Sequence, residues 1–432
     1  YFWCTLLTFT HAACLGGGIV SKEQRDKTSE YLFTKPFPRD TVVAAKVLAA
    51  VINLAAVAAV NPNVAVVLSC GSAVELPWAD SCKAIVHGYL GGQAGAGAMA
   101  RVLTGKVNPS GRLAETYALR YEDTPARRYF PGAERTAEYR EGPFIGYRYY
   151  DTAQVPVRFP FGFGLSYTTF AYSDIAASDK AVSFTLTNTG ARAGAEVAQV
   201  YVGKKNSALF RPAKELKGFA KVFLEPGESR TVTVPLDDKA FRAFNVKSGK
   251  WEIEGGDYEI YVAAAVNDVK LTAAVTVAGA LSALPYDSAA LPSYYSGRVS
   301  DVGDREFETL LGRLIPAARW DRTRPLERND TVSQLCYAKN PIARFVYGRI
   351  AAKKNKSEAA GKPDLNILSI YNMPFRGIAK LMGPMVNMEM VDAILFIVNG
   401  HFFRGVGRLF GAWRRKGRQD RETARTLAEA GK

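Results

Sequence analysis

The chain has 432 residues, 48% of them hydrophobic and 22% charged, with 38 Gly and 21 Pro, which excludes a collagenous, low-complexity or wholly disordered chain and leaves room for two or three domains. Lys and Arg number 56 against 41 Asp and Glu, a net charge of +15 that admits an anionic partner, nucleic acid or a lipid surface, without choosing between them. Five scattered cysteines (Cys4, Cys14, Cys70, Cys82, Cys336) without a C-x-x-C pair, and three histidines (His11, His87, His401) without H-x-x-x-H spacing, argue against a redox couple or metal centre and suit a reducing compartment.

Residues 1–20 are uncharged and rich in Phe, Leu, Ala and Gly, like the end of a membrane helix, and no Lys or Arg stands before Lys22 to form the basic start of a secretory signal. A charged stretch, 21–40, separates them from a second apolar run, 41–60, interrupted by Lys46 and Asn53. Within the charged stretch Glu23, Asp26, Lys27, Thr28, Glu30, Leu32, Lys35 and Pro36 form an E-x-x-D-K-T-x-E-x-L-x-x-K-P pattern. It resembles the cytoplasmic stretch that follows a helix in the permease subunits of ABC-2 type transporters. The alternative is a soluble amphipathic lead-in, because the segment is too short for a permease and Lys46 is costly in lipid.

From Val60 the pattern changes. Residues 64–68 (VAVVL) and 83–87 (KAIVH) are short continuous apolar runs of the kind that form strands buried on both faces. Gly91, Gly92, Gly95 and Gly97 precede Met99, Val102 and Leu103, which predicts a tight strand-to-helix turn and a helix to about Gly105, half of a parallel α/β unit. Such a turn can hold a phosphate, but no Lys-Ser/Thr follows and the G-x-G-x-x-G order is absent, so close helix packing is the better reading. Over residues 170–277, Val182, Phe184 and Leu186 alternate with Ser183, Thr185 and Thr187; Val200 and Val202, Val232 and Val234, and Tyr258, Ile260 and Val262 follow. With turns at Asn188-Thr189-Gly190, Pro226-Gly227-Glu228 and Gly255-Gly256-Asp257, this predicts a fibronectin III or immunoglobulin-like sandwich of about seven strands, without an immunoglobulin disulfide.

A small-residue linker, 278–290, follows, and from residue 281 onward 25 Lys and Arg stand against 15 Asp and Glu, most of the chain's positive excess. Residues 385–403 are apolar, short for a membrane span, and carry Glu389 and Asp392; Arg404, Arg408, Arg414, Arg415, Lys416 and Arg418 come after them. This predicts an amphipathic helix with a basic flank, whose apolar face docks on another domain or on an anionic membrane surface. Nucleic acid is disfavoured, since no aromatic-plus-basic stacking pattern accompanies the charge.

Few residues carry candidate chemistry. There is no G-x-S-x-G elbow, Ser69-Cys70-Gly71-Ser72 ends a strand with no His placed as base, and His87, closing a buried run, reads as structural. Glu138 and Glu141 lie among Tyr and Arg, where a sugar could bind, with structural pairing to Arg140 and Arg148 the favoured alternative. Trp78 is either a sugar-stacking ring or packing.

Residues 58–117, from AAVNPNVAVVLSCGSAVELPWAD through GGQAGAGAMARVLTGKVNPSGRLAETY, closely resemble the second, α/β sandwich domain of family 3 glycoside hydrolases of the β-glucosidase type. Residues 138–151 (EYREGPFIGYRYYD) and 159–170 (FPFGFGLSYTTF) resemble that family's junction into its fibronectin III-like domain, and 214–230 (KELKGFAKVFLEPGESR) resemble a stretch inside it. The tail motifs REFETLLGRLIP, GKPDLNILSIYNMPFRGIAK and MVDAILFIVNGHFFRG resemble the helical extension of some bacterial members. The resemblance implies a multidomain α+β chain: a permease-like segment over 1–56, a partial α/β sandwich over 57–160, a fibronectin III-like domain over 161–280, and a linker with a basic α-helical extension over 281–432. Alanines within 41–60 predict a helix ending near Val60, in the place of the family's helix before the Asn61-Pro62-Asn63 turn.

By the same resemblance, the intact parent hydrolyses O-glycosyl bonds of β-glucosides or oligosaccharides, with no cofactor. A retaining mechanism needs two carboxyl groups about 5 Å apart, one as nucleophile and one as acid then base. In this family the nucleophilic Asp lies on a TIM barrel that precedes the sandwich domain, and the acid/base Glu lies early in that domain, ahead of an L-P-x-x-Q-type helix. This sequence holds neither segment, so no residue takes a catalytic, cofactor-binding or metal-binding role, and the chain reads as a β-glucosidase portion joined to a transporter fragment, inactive alone. The alternative is a non-catalytic, membrane-associated carbohydrate-binding or scaffold module. The expected setting is cytoplasmic, with membrane contact through residues 1–56 or the basic tail, no nucleic acid, and a homo-oligomer left open.

Overall fold

The computed structural model describes residues 61–430 except 62, 131, 134, 322, 361–363 and 384, so the permease-like segment and the helix expected over 41–60 lie outside the described residues. The chain divides into two compact units, Asn53–Arg319 and a second that the described residues build from Trp320–Lys432.

The first unit opens with the two expected strands, β1 (Ala65–Leu68) and β2 (Ala84–His87), paired in parallel with Ala65 opposite Ala84 and Leu68 opposite His87. The helix α1 (Gly95–Leu103) follows the glycine-rich turn. Next, β3 (Tyr117–Ala118) pairs antiparallel with β4 (Val157–Phe159), and between them lies α2 (Tyr147–Thr152). A small core of Leu76, Ala79 and Tyr117, packed by Leu68, Trp78, Ile85 and Phe159, joins these pieces.

The sandwich is built from β5 (Phe170–Ala177), β6 (Ala181–Asn188), β7 (Gly194–Lys204), β8 (Glu215–Leu224), β9 (Ser229–Pro235), a small β10 (Arg242–Asn245) and β11 (Lys250–Ile253) hairpin, β12 (Gly256–Ala265) and β13 (Asp268–Val277). Its two sheets run β5-β6-β9 and β13-β12-β7-β8, seven strands in all. Along β6 the inward residues Val182, Phe184 and Leu186 are fully buried while the Ser and Thr between them are not, the period-two signature of a sheet with one wet face. They meet Val200, Val202, Val232, Val234, Tyr258, Ile260 and Val262 in one core.

Two of the expected turns have a clear cause. The buried Asn188 side chain accepts hydrogen bonds from Thr168 Oγ1 (2.7 Å) and Gly190 N (3.1 Å) and donates to the carbonyls of Leu224 (3.0 Å) and Arg192 (2.8 Å), so it closes its own turn and ties both sheets together. Gly227, at φ +76°, makes the β8–β9 turn. The third is shorter than expected: Gly256, at φ +115°, already opens β12, so Asp257 belongs to the strand.

Central strand β7 is buried on both faces. On its outer side Gln199 donates to the carbonyls of Gly162 (3.0 Å) and Ala264 (2.7 Å) and accepts from Tyr201 Oη (2.6 Å), while Tyr147 stacks on Phe161 at 4.6 Å and accepts from Leu216 N (2.9 Å). A Cβ at Gly162 would stand 2.0 Å from the Gln199 amide, and φ there is +80°, which explains the glycine within FPFGFG.

Residues 281–319, which the sequence assigns to the tail, belong instead with the first unit. They hold α3 (Pro292–Ser296) and α4 (Asp304–Leu311), and their Leu291, Tyr294, Val299, Val302 and Phe307 form one cluster with Phe144, Tyr149 and Tyr150. Burial of these large apolar side chains outweighs the basic composition that suggested a tail.

The second unit contains α5 (Pro341–Ala359), α6 (Leu365–Asn372), α7 (Phe375–Leu381), α8 (Met388–Val398) and α9 (Phe402–Ala430). Asn340, Asp364 and Asn387 cap α5, α6 and α8 by accepting hydrogen bonds from the first-turn amides. The core collects Trp320, Leu326, Val332, Leu335, Phe375, Val391, Leu395 and Val398. The single amphipathic helix expected over 385–403 is in fact α8, a break at Asn399-Gly400-His401, and the start of α9. Gly400 takes φ +101°, and the Asn399 side chain pairs with both backbone groups of Leu326 (2.7 and 2.9 Å). The apolar face of α8 is thereby spent on the core of its own unit. Among the described residues no helix is long and apolar enough to cross a membrane.

Candidate functional site

In a parallel α/β unit the place to look for chemistry is the carboxyl end of the strands, here Leu68 and His87 with the segment Ser69-Cys70-Gly71-Ser72. The His87 ring lies 3.8 Å from that of Tyr89 and edge-on to Tyr117 at 5.8 Å, and neither ring nitrogen has a hydrogen-bond partner that meets normal geometry. Burial pushes its pKa below the usual value, against the weaker pull of the Leu68 carbonyl and Glu115. Burial likewise raises the Cys70 and Cys82 thiols and the Tyr117 hydroxyl. Every one of these shifts favours the neutral form, so Cys70 and His87, at the carboxyl ends of the strands, are held neutral beside the rings of Tyr89 and Tyr117. Glu115, which sequence reasoning passed over, accepts from Ala73 N (3.0 Å) and fixes the loop after β1. Its partner is 42 residues away, beyond any local signal.

The glycine-rich turn is a packing device: a Cβ at Gly91 would stand 3.0 Å from Gly95 Cα, the first residue of α1. Trp78 packs on Leu76, Ala79 and Tyr117.

Glu138 and Glu141 part company. Glu138 accepts from Arg140 Nε (2.7 Å) and Nη2 (2.6 Å), as the sequence suggested, and the same Nη2 reaches Asp304 (2.7 Å). Arg140 also donates to the Val302 carbonyl (2.8 Å) and lies over the rings of Tyr129 (4.3 Å) and Phe307 (5.0 Å). Two carboxylates therefore meet at one point, but a guanidinium occupies the space between them. Asp304 is a member no local pattern revealed. The suggested pairing with Arg148 is not made; Arg148 turns to Glu215 at 3.0 Å, because α2 faces β8. Glu141 is buried. Beside Glu138 a shallow cleft of about 210 Å³ is lined by Arg128, Tyr129, Phe130 and Thr136, with Phe130 and Tyr139 exposed nearby. This is below the usual range of roughly 300–1,000 Å³ for ligand pockets. Among the described residues no group of three or more His, Cys, Asp or Glu could hold a metal ion.

Comparison with known proteins bears on the same stretch. Residues 49–167 match the glycosyl hydrolase family 3 C-terminal domain, and residues 196–266 match the fibronectin type III-like domain. Thermostable beta-glucosidase B of Acetivibrio thermocellus is 48% identical over 230 residues, 51% of this chain and 30% of that protein. The exo-alpha-(1->6)-L-arabinopyranosidase of Bifidobacterium longum is 43% identical over 257 residues, 58% of this chain and 34% of that protein. Among solved structures, a family 3 beta-glucosidase of Bifidobacterium adolescentis aligns with a TM-score of 0.53 at 45% identity, covering 56% of this chain and 36% of that one. A beta-glucosidase of Kluyveromyces marxianus in complex with glucose aligns with a TM-score of 0.50 at 41% identity, covering 53% and 29%. The chain spans about a third of the length of the relatives it matches. About half of this chain thus corresponds to a C-terminal portion of a family 3 glycoside hydrolase, its α/β domain followed by its fibronectin III-like domain.

Proposed function

We propose that this half of the chain serves an enzyme that hydrolyses the O-glycosyl bonds of β-glucosides or related oligosaccharides in carbohydrate metabolism, and that the 432 residues hydrolyse nothing alone. The observation that carries the reading is the coverage: strong identity over half of this chain reaches only about 30% of the β-glucosidase of Acetivibrio thermocellus. Its support within the structure is the Glu138–Arg140–Asp304 knot, where a close carboxylate pair is neutralised by a guanidinium. The permease-like stretch is a separate piece joined ahead of residue 49, where the family 3 match begins, and the setting is cytoplasmic with membrane contact. The test is turnover of an aryl β-glucoside by the purified chain, alone and mixed with a separately produced N-terminal portion of a β-glucosidase. We expect no hydrolysis by the chain alone. Turnover by the chain alone would place a catalytic carboxyl pair within these residues and overturn the reading.

A second reading, a non-catalytic carbohydrate-binding or scaffold module, has one feature in its favour: exposed Phe130 and Tyr139 beside Arg128 and Glu138 offer ring faces and polar groups to a sugar. Calorimetric titration with a glucoside separates the two, since only this reading expects binding without turnover.

A further inference from the structure

The last helix, α9, carries apolar residues on two opposite sides. One side meets its own unit: Gly405 lies against Ile397 of α8, and Ala412 is fully buried. On the other side Phe403, Val406, Phe410 and Trp413 follow at intervals of three, four and three residues, an arc of roughly 80° at 3.6 residues per turn. They point into solvent, with Phe403 89% and Trp413 56% exposed, and the rings of Phe410 and Trp413 stack at 5.7 Å. Further along the helix the adjoining side, turned roughly 70° from the aromatic one at 3.6 residues per turn, changes chemistry: Arg414, Arg418, Arg421 and Arg425, spaced four, three and four, form a row of exposed guanidinium groups. Arg414 lies over the Phe410 ring at 4.5 Å, and none of the four makes an ion pair with a described residue; the helix's paired cations, Arg415 with Glu389 and Lys416 with Asp420, sit to either side.

We propose that this face of α9 is a docking surface for an anionic lipid bilayer. An aromatic half of about 15 Å, at 1.5 Å per residue, is suited to lie at the boundary of headgroups and acyl chains, with Trp413 at headgroup level. The arginine row beside it matches the negative charge of the lipid surface, and the whole unit supports it: residues 320–432 hold 21 Lys and Arg against 10 Asp and Glu. A nucleic acid would use the arginines and leave Phe403 and Val406 in water. A bilayer uses both halves of the face together. The inference is independent of the glycosidase reading, because it concerns a helix outside the two matched domains.

The test is sedimentation of the full chain with phosphatidylcholine vesicles, with and without phosphatidylglycerol. We expect binding to the anionic vesicles only, and release at about 1 M salt, where the Debye length falls to about 3 Å. Each Arg→Gln change at 414, 418, 421 and 425 should lower the partition coefficient about fivefold, the equivalent of about 1 kcal/mol apiece. Phe403→Ser, Phe410→Ser and Trp413→Ser together should abolish binding while circular dichroism keeps its helical signal. As a second readout, quenching of tryptophan emission by brominated lipid should drop in Trp413→Phe, a change too small to unfold the helix. Equal binding by wild type and all variants would overturn the proposal. So would a wild type that ignores anionic vesicles but forms a dimer that the aromatic variants break, since a second copy would then be the occupant.

Discussion

Arg112 sets the terms for the junction between the α/β portion and the sandwich. Its Nη2 reaches both oxygens of Glu196 on β7 (2.7 and 2.6 Å), its Nη1 donates to the Gly164 carbonyl (2.6 Å), and Tyr172 Oη adds a third bond to Glu196 (3.0 Å). Both charged side chains are more than nine-tenths buried, so removing one strands the other in a medium that cannot solvate it. Glu196→Gln or Arg112→Met should each cost about 3–5 kcal/mol in denaturant unfolding, and Arg112→Met with Glu196→Leu should cost clearly less than the two together. Strict additivity would show that the two charges do not act as a pair. Glu252 shows the same logic at the surface. Ser282, Ser248 and Asn245 hydrogen-bond its carboxylate and hold its pKa at about 2, below the ordinary 4.5. A depressed folded-state pKa contributes stability above pH 4.5 that is lost as pH falls through about 2. The melting temperature of Glu252→Gln should therefore sit below wild type at neutral pH, and the gap should close as the pH approaches 2. A gap that stays constant with pH would rule out this carboxylate as the cause.

At the scale of elements, the crossing of α8 and α9 depends on one missing side chain. A Cβ at Gly405 would stand 2.4 Å from Ile397 Cγ1 and 3.0 Å from Ile397 N, so part of the clash is with backbone that cannot step aside. Gly405→Ala should destabilise the helical unit by about 1–3 kcal/mol, the usual cost of overpacking, and adding Ile397→Ala should recover only part of it. Full recovery would mean that the backbone is not the barrier. This contact also marks what the sequence can and cannot tell. The strands were legible wherever one face is wet, as in β6, where Val182, Phe184 and Leu186 announce the inward side. Strands β1 and β2 stood out as short apolar runs. The break between α8 and α9 did not, because Asn399 and Gly400 stop the helix through a bond to Leu326, 73 residues away. The candidate site repeats the lesson: Glu138 beside Arg140 is a local pairing and was readable, whereas Asp304 and the partner of Arg148 are set by how α4 and β8 pack.

For the molecule as a whole, composition suggested a boundary near residue 280, where the charge turns basic, and packing moves it to Arg319. Charge is a property of surfaces and says little about which buried side chains share a core. The segment 281–319 supplies Leu291, Tyr294, Val299, Val302 and Phe307 to the cluster around Phe144, Tyr149 and Tyr150. Each such side chain contributes about 1.5–3 kcal/mol when buried. The same segment gives Arg140 its Asp304 carboxylate and Val302 carbonyl, and Tyr294 Oη donates to the Arg140 carbonyl (2.8 Å). A fragment ending at 280 would open this aromatic face to water and leave the buried Arg140 guanidinium with Glu138 alone. Two fragments decide the matter, 53–319 and 53–280, compared by size-exclusion chromatography and calorimetry. The longer should be monodisperse and melt in one cooperative step, since its sandwich core and its aromatic cluster are both complete. The shorter should aggregate, or melt well below it with the loss falling on the α/β portion. Equal melting temperatures would return the boundary to residue 280 and reduce the 281–319 segment to a passenger on the surface.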